Sequence, residues 1–178
     1  MHILKITSPG QIPPEYAQTP VGELIRYQNL AEPFRQYDSA RLLVGMCMDN
    51  RKQLHIPENF AYILRTGGAN LRSSEFKVSY AVAIGGIRHI ALIAHDRCGM
   101  VGLSGKRDAF IQGLIDNAGW TRERAEEHFL NYAPIFEIDN EVDFVLSEAR
   151  RLSQKYPKVT VAPLYYTLGD NMLSAIVE

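Results

Sequence analysis

Arg41-Leu42-Leu43-Val44-Gly45-Met46-Cys47-Met48-Asp49-Asn50-Arg51 begins as an apolar run of strand length. It ends in three reactive residues at alternate positions, Cys47, Asp49 and Arg51. A second run answers it downstream, where His89-Ile90-Ala91-Leu92-Ile93-Ala94 leads into His95-Asp96-Arg97-Cys98-Gly99. Runs that stay apolar, with no polar residue at alternate positions, are the pattern of strands buried on both faces. That is the pattern of a parallel sheet covered by helices. The chain has only two cysteines, and each sits at or just past the end of such a run.

Outward from these strands the pattern alternates. Phe60 to Arg65 reads as a second strand that runs into the Thr66-Gly67-Gly68-Ala69-Asn70 turn, where glycine lets the backbone approach something closely. Ser73-Ser74 opens a helix to about Ile84 with Phe76, Tyr80 and Ala83 on one face, and Gly85-Gly86 stops it. Ile90 to His95 is the third strand. Three helices come after it, over 108–118, 121–132 and 139–155, with Thr121 as an N-cap. Val159 to Leu164 is a fourth strand, and Met172 to Val177 a fifth that returns after the Gly169-Asp170-Asn171 turn. Before the first strand, Leu24, Tyr27, Leu30, Phe34 and Tyr37 recur three and four apart, which predicts an amphipathic helix over 21–37 broken or kinked at Pro33. Residues 1–20 hold four of the nine prolines and read as an extended N-terminal arm. The expected fold is α/β, a mostly parallel sheet flanked by helices, in one domain over 1–178.

Ligands of an open parallel sheet collect beyond the carboxyl ends of the strands, where the strand order reverses. Cys47 ends strand one and His95 ends strand three. For both to reach one atom these strands must be neighbours, with strand two on the far side of strand one. Cys98 follows His95 by one helical turn. Two thiolates and an imidazole form a borderline-soft tripod that suits zinc, and three protein ligands leave a fourth tetrahedral position open. Asp49 is close enough in sequence to fill that position or to leave it for water. Arg51 competes for it, because a guanidinium fork matches a carboxylate in bidentate fashion. Taken singly each piece is ordinary: a buried Cys at a strand end is most often a small core residue, and Asp and Arg after a strand commonly form a loop ion pair. Their joint occurrence at two strand ends carries the metal reading. His2, His55, His89 and His128 have no second ligand candidate at useful spacing and read as surface or structural.

At 178 residues, with 46% hydrophobic and 22% charged residues, the chain is long enough for one full core and has the composition of an ordinary globule. A formal net charge of -1 and a pI of about 6.5 give no electrostatic footprint for nucleic acid or an anionic membrane. Met1 to Ile6 has no signal-peptide pattern, and no apolar run approaches a spanning helix. A cytoplasmic location is therefore expected, where two cysteines point to metal or catalysis rather than a disulfide.

With these residues in view, the chain resembles the β-class carbonic anhydrases. The resemblance lies in Cys47-Met48-Asp49-Asn50-Arg51, the Arg65-Thr66-Gly67-Gly68 turn, Ser79-Tyr80-Ala81-Val82, and His95-Asp96-Arg97-Cys98-Gly99, whose order and separations fit from about Leu42 to Met100. It implies zinc held by Cys47, His95 and Cys98, with Asp49 and Arg51 as the paired catalytic residues. It implies a sheet in order 2-1-3-4 with a fifth, C-terminal strand added. The implied reaction is the reversible hydration of carbon dioxide to bicarbonate by a zinc-activated water, in a homodimer or higher homo-oligomer. The expected dimer surface is the proline-rich arm with the Leu24–Phe34 helix. Hydrolysis of a carbon dioxide analogue (carbonyl sulfide or carbon disulfide) on the same site is a second reading, and an idle zinc-binding regulatory module, closed by Asp49, a third. Gly67 stands where members usually have Ala, which predicts a looser backbone beside the metal. Tyr165 to Asp170 also departs from the family's pattern.

Overall fold

The computed structural model describes residues 2–177. Strand β2 (Leu42–Cys47) has all six residues buried, as an uninterrupted apolar run requires. It pairs in parallel with β3 (Ala61–Thr66) on one side and with β4 (His89–His95) on the other. Strand β5 (Thr160–Thr167) continues the parallel set beyond β4, and β6 (Met172–Val177) turns back antiparallel. In the order the strands appear as sequence runs this is 2-1-3-4 with a fifth added, as expected. The sheet has one strand more. His2–Lys5 forms β1, antiparallel to the outer edge of β6, so the full order is β1-β6-β5-β4-β2-β3.

The extended arm expected over 1–20 is corrected by this strand and by two helices. A short helix α1 (Pro14–Ala17) and the start of α2 (Pro20–Leu30) lie inside that segment, and Ile6, Ile12 and Tyr16 are buried. Prolines 14 and 20 begin helices here, where a missing N–H costs nothing. Helix α2 is capped by the Thr19 hydroxyl, which accepts from the Val21 N–H at 3.2 Å. It ends at Leu30 rather than near Tyr37, because Ala31 takes the left-handed conformation (φ 50°) and Pro33 forbids continuation.

Alternation along β2 sorts the core. Leu42, Val44 and Met46 face α2, packing with Leu24, Ile25 and Phe60, while Leu43 faces the opposite layer with Leu71 and Leu92. That layer is built by α3 (Glu75–Ala83) and α6 (Glu141–Lys155). Gly45 stands two residues after Leu43, and a Cβ there would lie 2.8 Å from Leu92 and 2.9 Å from Leu71. On α3 the buried residues are Val78 and Ala81; the face that carries Phe76 and Tyr80 is exposed, at 82% and 53%. Two further helices, α4 (Arg107–Ala118) and α5 (Arg122–Phe136), form a hairpin with a small core of its own around Ile111 and Phe129. Thr121 caps α5 by accepting from the Arg124 N–H at 3.3 Å.

One ion-pair network fastens α6 to this layer. Glu148 is fully buried, accepts from the Leu71 N–H at 3.2 Å, and takes two guanidinium N–H bonds from Arg151 at 2.8 Å. Arg151 also pairs with Glu75 on α3. Glu148→Ala is expected to lower the free energy of unfolding in urea by about 3 kcal/mol, because it strands a buried N–H and half of a buried ion pair. A loss below about 0.5 kcal/mol, the range of an ordinary surface change, would contradict this account of the network.

Candidate metal centre

Parallel pairing brings the carboxyl ends of β2, β3 and β4 to one edge of the sheet, with Cys47 level with Thr66. His95 closes β4, and the turn after it, with Arg97 at φ 56°, carries Cys98 back toward Cys47. The two sulfurs lie 3.9 Å apart, far beyond a disulfide, and both cysteines are free and buried. One side-chain atom each from Cys47, His95 and Cys98 lies within 4.8 Å of the others. Tetrahedral zinc with sulfur at ~2.3 Å has sulfurs about 3.8 Å apart, so the thiol pair is already at the spacing of two zinc ligands.

The imidazole is oriented for the same role. His95 Nδ1–H donates to the Asp96 carbonyl at 2.9 Å, which leaves the lone pair on Nε2. Nε2 is buried without a hydrogen-bond partner. A buried unpartnered nitrogen costs free energy unless something accepts its lone pair, and a cation between the two sulfurs does so. The thiols point the same way. The Cys98 S–H holds the Cys47 thiol well below its usual range, and that same bond together with burial pushes Cys98 up, so the pair keeps one proton between two sulfurs. A dication replaces that proton and takes both as thiolates.

Asp49 and Arg51 form the bidentate pair. Arg51 Nε donates to Oδ1 at 2.9 Å and Nη2 to Oδ2 at 2.5 Å, and the Arg51 backbone N–H also donates to Oδ1 at 2.9 Å. These bonds hold the Asp49 carboxyl far below the usual carboxylate range. Asp49 Oδ2 nevertheless lies 4.0 Å from His95 Nε2, so the carboxylate borders the ligand cluster while remaining in the guanidinium fork. Arg51 is itself tied down by donating to the Arg97 carbonyl at 3.0 Å.

Two further cations support this loop, and sequence reasoning assigns a role to neither. Lys52 is fully buried and donates to the Cys47 carbonyl at 3.2 Å; burial pushes its ammonium down, against the pull of Cys47 and Asp49. Arg65 donates to the carbonyls of Cys47, Asp49 and Lys52 at 3.3, 3.3 and 3.1 Å. Arg65 is visible as part of a motif, but a lysine following Arg51 reads as solvated until the loop is seen to fold over it.

Beside the ligands opens a cleft of about 530 Å³ between the sheet edge and the α4–α5 hairpin, walled by Met48, Thr66, Gly67, Met100, Phe129 and Phe136. No Lys, Arg, Asp or Glu lines it. Gly67, where the family usually has Ala, is buried against this wall. A Cβ there would stand 2.9 Å from Met100 Sδ and 3.2 Å from Phe136, so these side chains fill the room that Ala would take. His128 is in the cleft wall, packed against Trp120 and Tyr132.

No family model and no curated protein matches the chain. Solved structures do. It is similar to β-carbonic anhydrase isoform I from the protozoan Trichomonas vaginalis, with 16% identity and a TM-score of 0.67 over 88% of this chain and 97% of that one. It is similar to the carbonic anhydrase from Glaciozyma antarctica, with 15% identity and a TM-score of 0.64 over 93% of this chain and 100% of the other. It is also similar to the apo form of a carbon disulfide hydrolase, with 18% identity and a TM-score of 0.55 over 89% of each. At these identities the likeness is one of fold.

Proposed function

We propose that this chain, which has the fold of the β-carbonic anhydrases, is a zinc enzyme that hydrates carbon dioxide reversibly to bicarbonate and a proton. The observation that carries the reading is the convergence of Cys47 Sγ, Cys98 Sγ and His95 Nε2 beside a carboxylate that a guanidinium holds in its fork. Cys47, His95 and Cys98 would hold zinc. Bound there, zinc supplies the Lewis acidity that makes water a nucleophile. The residues of this chain do the rest. Asp49, too acidic to keep a proton, accepts a hydrogen bond from the attacking water and orients its lone pair. The proton released leaves to solvent. Arg51 grips both oxygens of Asp49, which supports an open site rather than an idle, closed zinc module. The apolar cleft admits a neutral triatomic substrate and offers no counter-charge to compete for bicarbonate.

A second reading has a specific support. A cleft free of Lys, Arg, Asp and Glu suits carbon disulfide or carbonyl sulfide at least as well as carbon dioxide, and the fold is shared with a carbon disulfide hydrolase. Assaying the zinc-loaded protein in parallel on carbon dioxide, carbonyl sulfide and carbon disulfide separates the two. A kcat/KM for carbon dioxide above the other two supports hydration; turnover of the sulfur compounds alone overturns it.

We further propose a homodimer working in a reducing compartment such as the cytoplasm. The surface first expected to drive it is occupied: Leu24, Ile25 and Tyr27 of α2 are buried within the chain. Exposed apolar residues gather instead on and just after α3 and on the facing side of the edge strand β3, at Phe76, Tyr80, Ile84 and Tyr62. Light scattering at micromolar concentration should give at least twice the 20.1 kDa chain mass, and Phe76→Asp with Ile84→Asp should lower it. A wild-type mass of one chain would refute the dimer.

A further inference from the structure

Among the described residues, two buried side-chain polar atoms have no hydrogen-bond partner: His95 Nε2 and Thr66 Oγ1. The metal accounts for the first. The second lies at the same place in the fold. Thr66 closes β3 directly opposite Cys47, and residues in register across a parallel pair stand on the same face of the sheet. The face is fixed independently by Leu64, two residues earlier, which packs in the same layer as Leu43, four residues before Cys47. The two strand ends are locked together there, because the Met48 N–H donates to the Thr66 carbonyl at 2.8 Å. Thr66 also lines the apolar cleft.

A hydroxyl buried without a partner is destabilising, and valine has nearly the same shape and fits a strand as well. Nothing in the packing of β3 calls for the oxygen. The imidazole nitrogen and this hydroxyl are therefore two unmet bonding capacities at one strand-end edge, and one occupant of the centre can meet both. We infer that Thr66 is a substrate-contacting residue, whose Oγ1 hydrogen-bonds an oxygen of the bicarbonate or water held beside Cys47, His95 and Cys98. This rests on the hydration reading for the identity of that ligand. A hydroxyl suits the position because it donates to bicarbonate and accepts from water without a change of protonation. The cleft wall carries no Lys or Arg, so such a contact adds to what the metal would supply in holding the anion.

The test uses Thr66→Val and Thr66→Ser. Bicarbonate is titrated into the cobalt(II)-loaded proteins and followed by visible absorption, thermal midpoints are measured on the zinc-loaded proteins, and carbon dioxide hydration is assayed alongside. Thr66→Val should weaken bicarbonate binding about tenfold, the worth of one hydrogen bond to an anion, and Thr66→Ser should restore it. The thermal midpoint of Thr66→Val should equal or exceed that of the wild type, because no protein bond is lost. Unchanged bicarbonate affinity in Thr66→Val overturns the inference. So does a fall of about 3 °C or more that Thr66→Ser reverses, since the hydroxyl would then be bonded within the protein. The outcomes separate this inference from the reading it rests on. Active wild type with an indifferent Thr66→Val removes the inference alone, whereas inactive wild type whose bicarbonate binding still depends on Thr66 removes only the hydration reading.

Discussion

Cys98→Ser purified without added metal should hold little zinc, against close to one zinc per chain in the wild type. Removing a thiolate takes away one of three ligands and should cost well more than the ~100-fold in affinity that changes in residues merely supporting a ligand produce. Cys47→Ser should behave alike. The change reaches stability as well, because a metal that binds only the folded chain raises its thermal midpoint. A chelator should therefore lower the midpoint of the wild type and leave that of Cys98→Ser unmoved. Zinc binding should also weaken as pH falls, since both thiols must be free of protons to bind and the apo pair holds one between its sulfurs 3.9 Å apart. Full zinc in both serine variants would show that the ligands lie elsewhere.

The other large effect is expected at Asp49 and Arg51. Asp49→Asn keeps the size of the side chain but loses its charge and one of the two oxygens that accept from Arg51, and should retain zinc while losing about 100-fold or more in hydration rate. Arg51→Ala removes the fork that keeps Asp49 off the ligand cluster. With Oδ2 already 4.0 Å from His95 Nε2, the freed carboxylate is in position to take the open coordination place and exclude water. Activity should then be suppressed even at pH near 9. Arg51→Lys should rescue poorly, because a lysine cannot grip both oxygens at once. Stopped-flow hydration with zinc content measured on the same samples checks both variants. An Arg51→Ala enzyme with wild-type rate and full zinc would show that the pair is structural only.

How much of this was legible in the sequence depended on whether the signal was local. Leu42 to Cys47 and Met172 to Val177 were bounded correctly, because an apolar run closed by turn or polar residues is a strand whatever its neighbours do. The metal cluster was legible for a topological reason: Cys47 and His95 end strands that a parallel sheet must bring side by side at a switch point. Strand β1 was hidden because His2–Lys5 is a four-residue strand that exists only by completing the edge of β6, some 170 residues away. Which face of α3 meets the sheet was not legible for a related reason. Phe76 and Tyr80 have helical spacing and apolar character, but Val78 and Ala81, equally well spaced, are the residues that meet the sheet. Lys52 and Thr66 matter through what surrounds them, a buried carbonyl for one and no partner for the other, and sequence alone carries no mark of either.

A metal held by Cys47, His95 and Cys98 should make this chain a hydrating enzyme. This is tested most directly by titrating zinc into metal-free protein and following carbon dioxide hydration by stopped flow. The rate should rise in proportion to zinc, saturate at one equivalent per chain, and not rise in Cys98→Ser. A chain that takes up one zinc and still leaves carbon dioxide hydrating at the uncatalysed rate would contradict it.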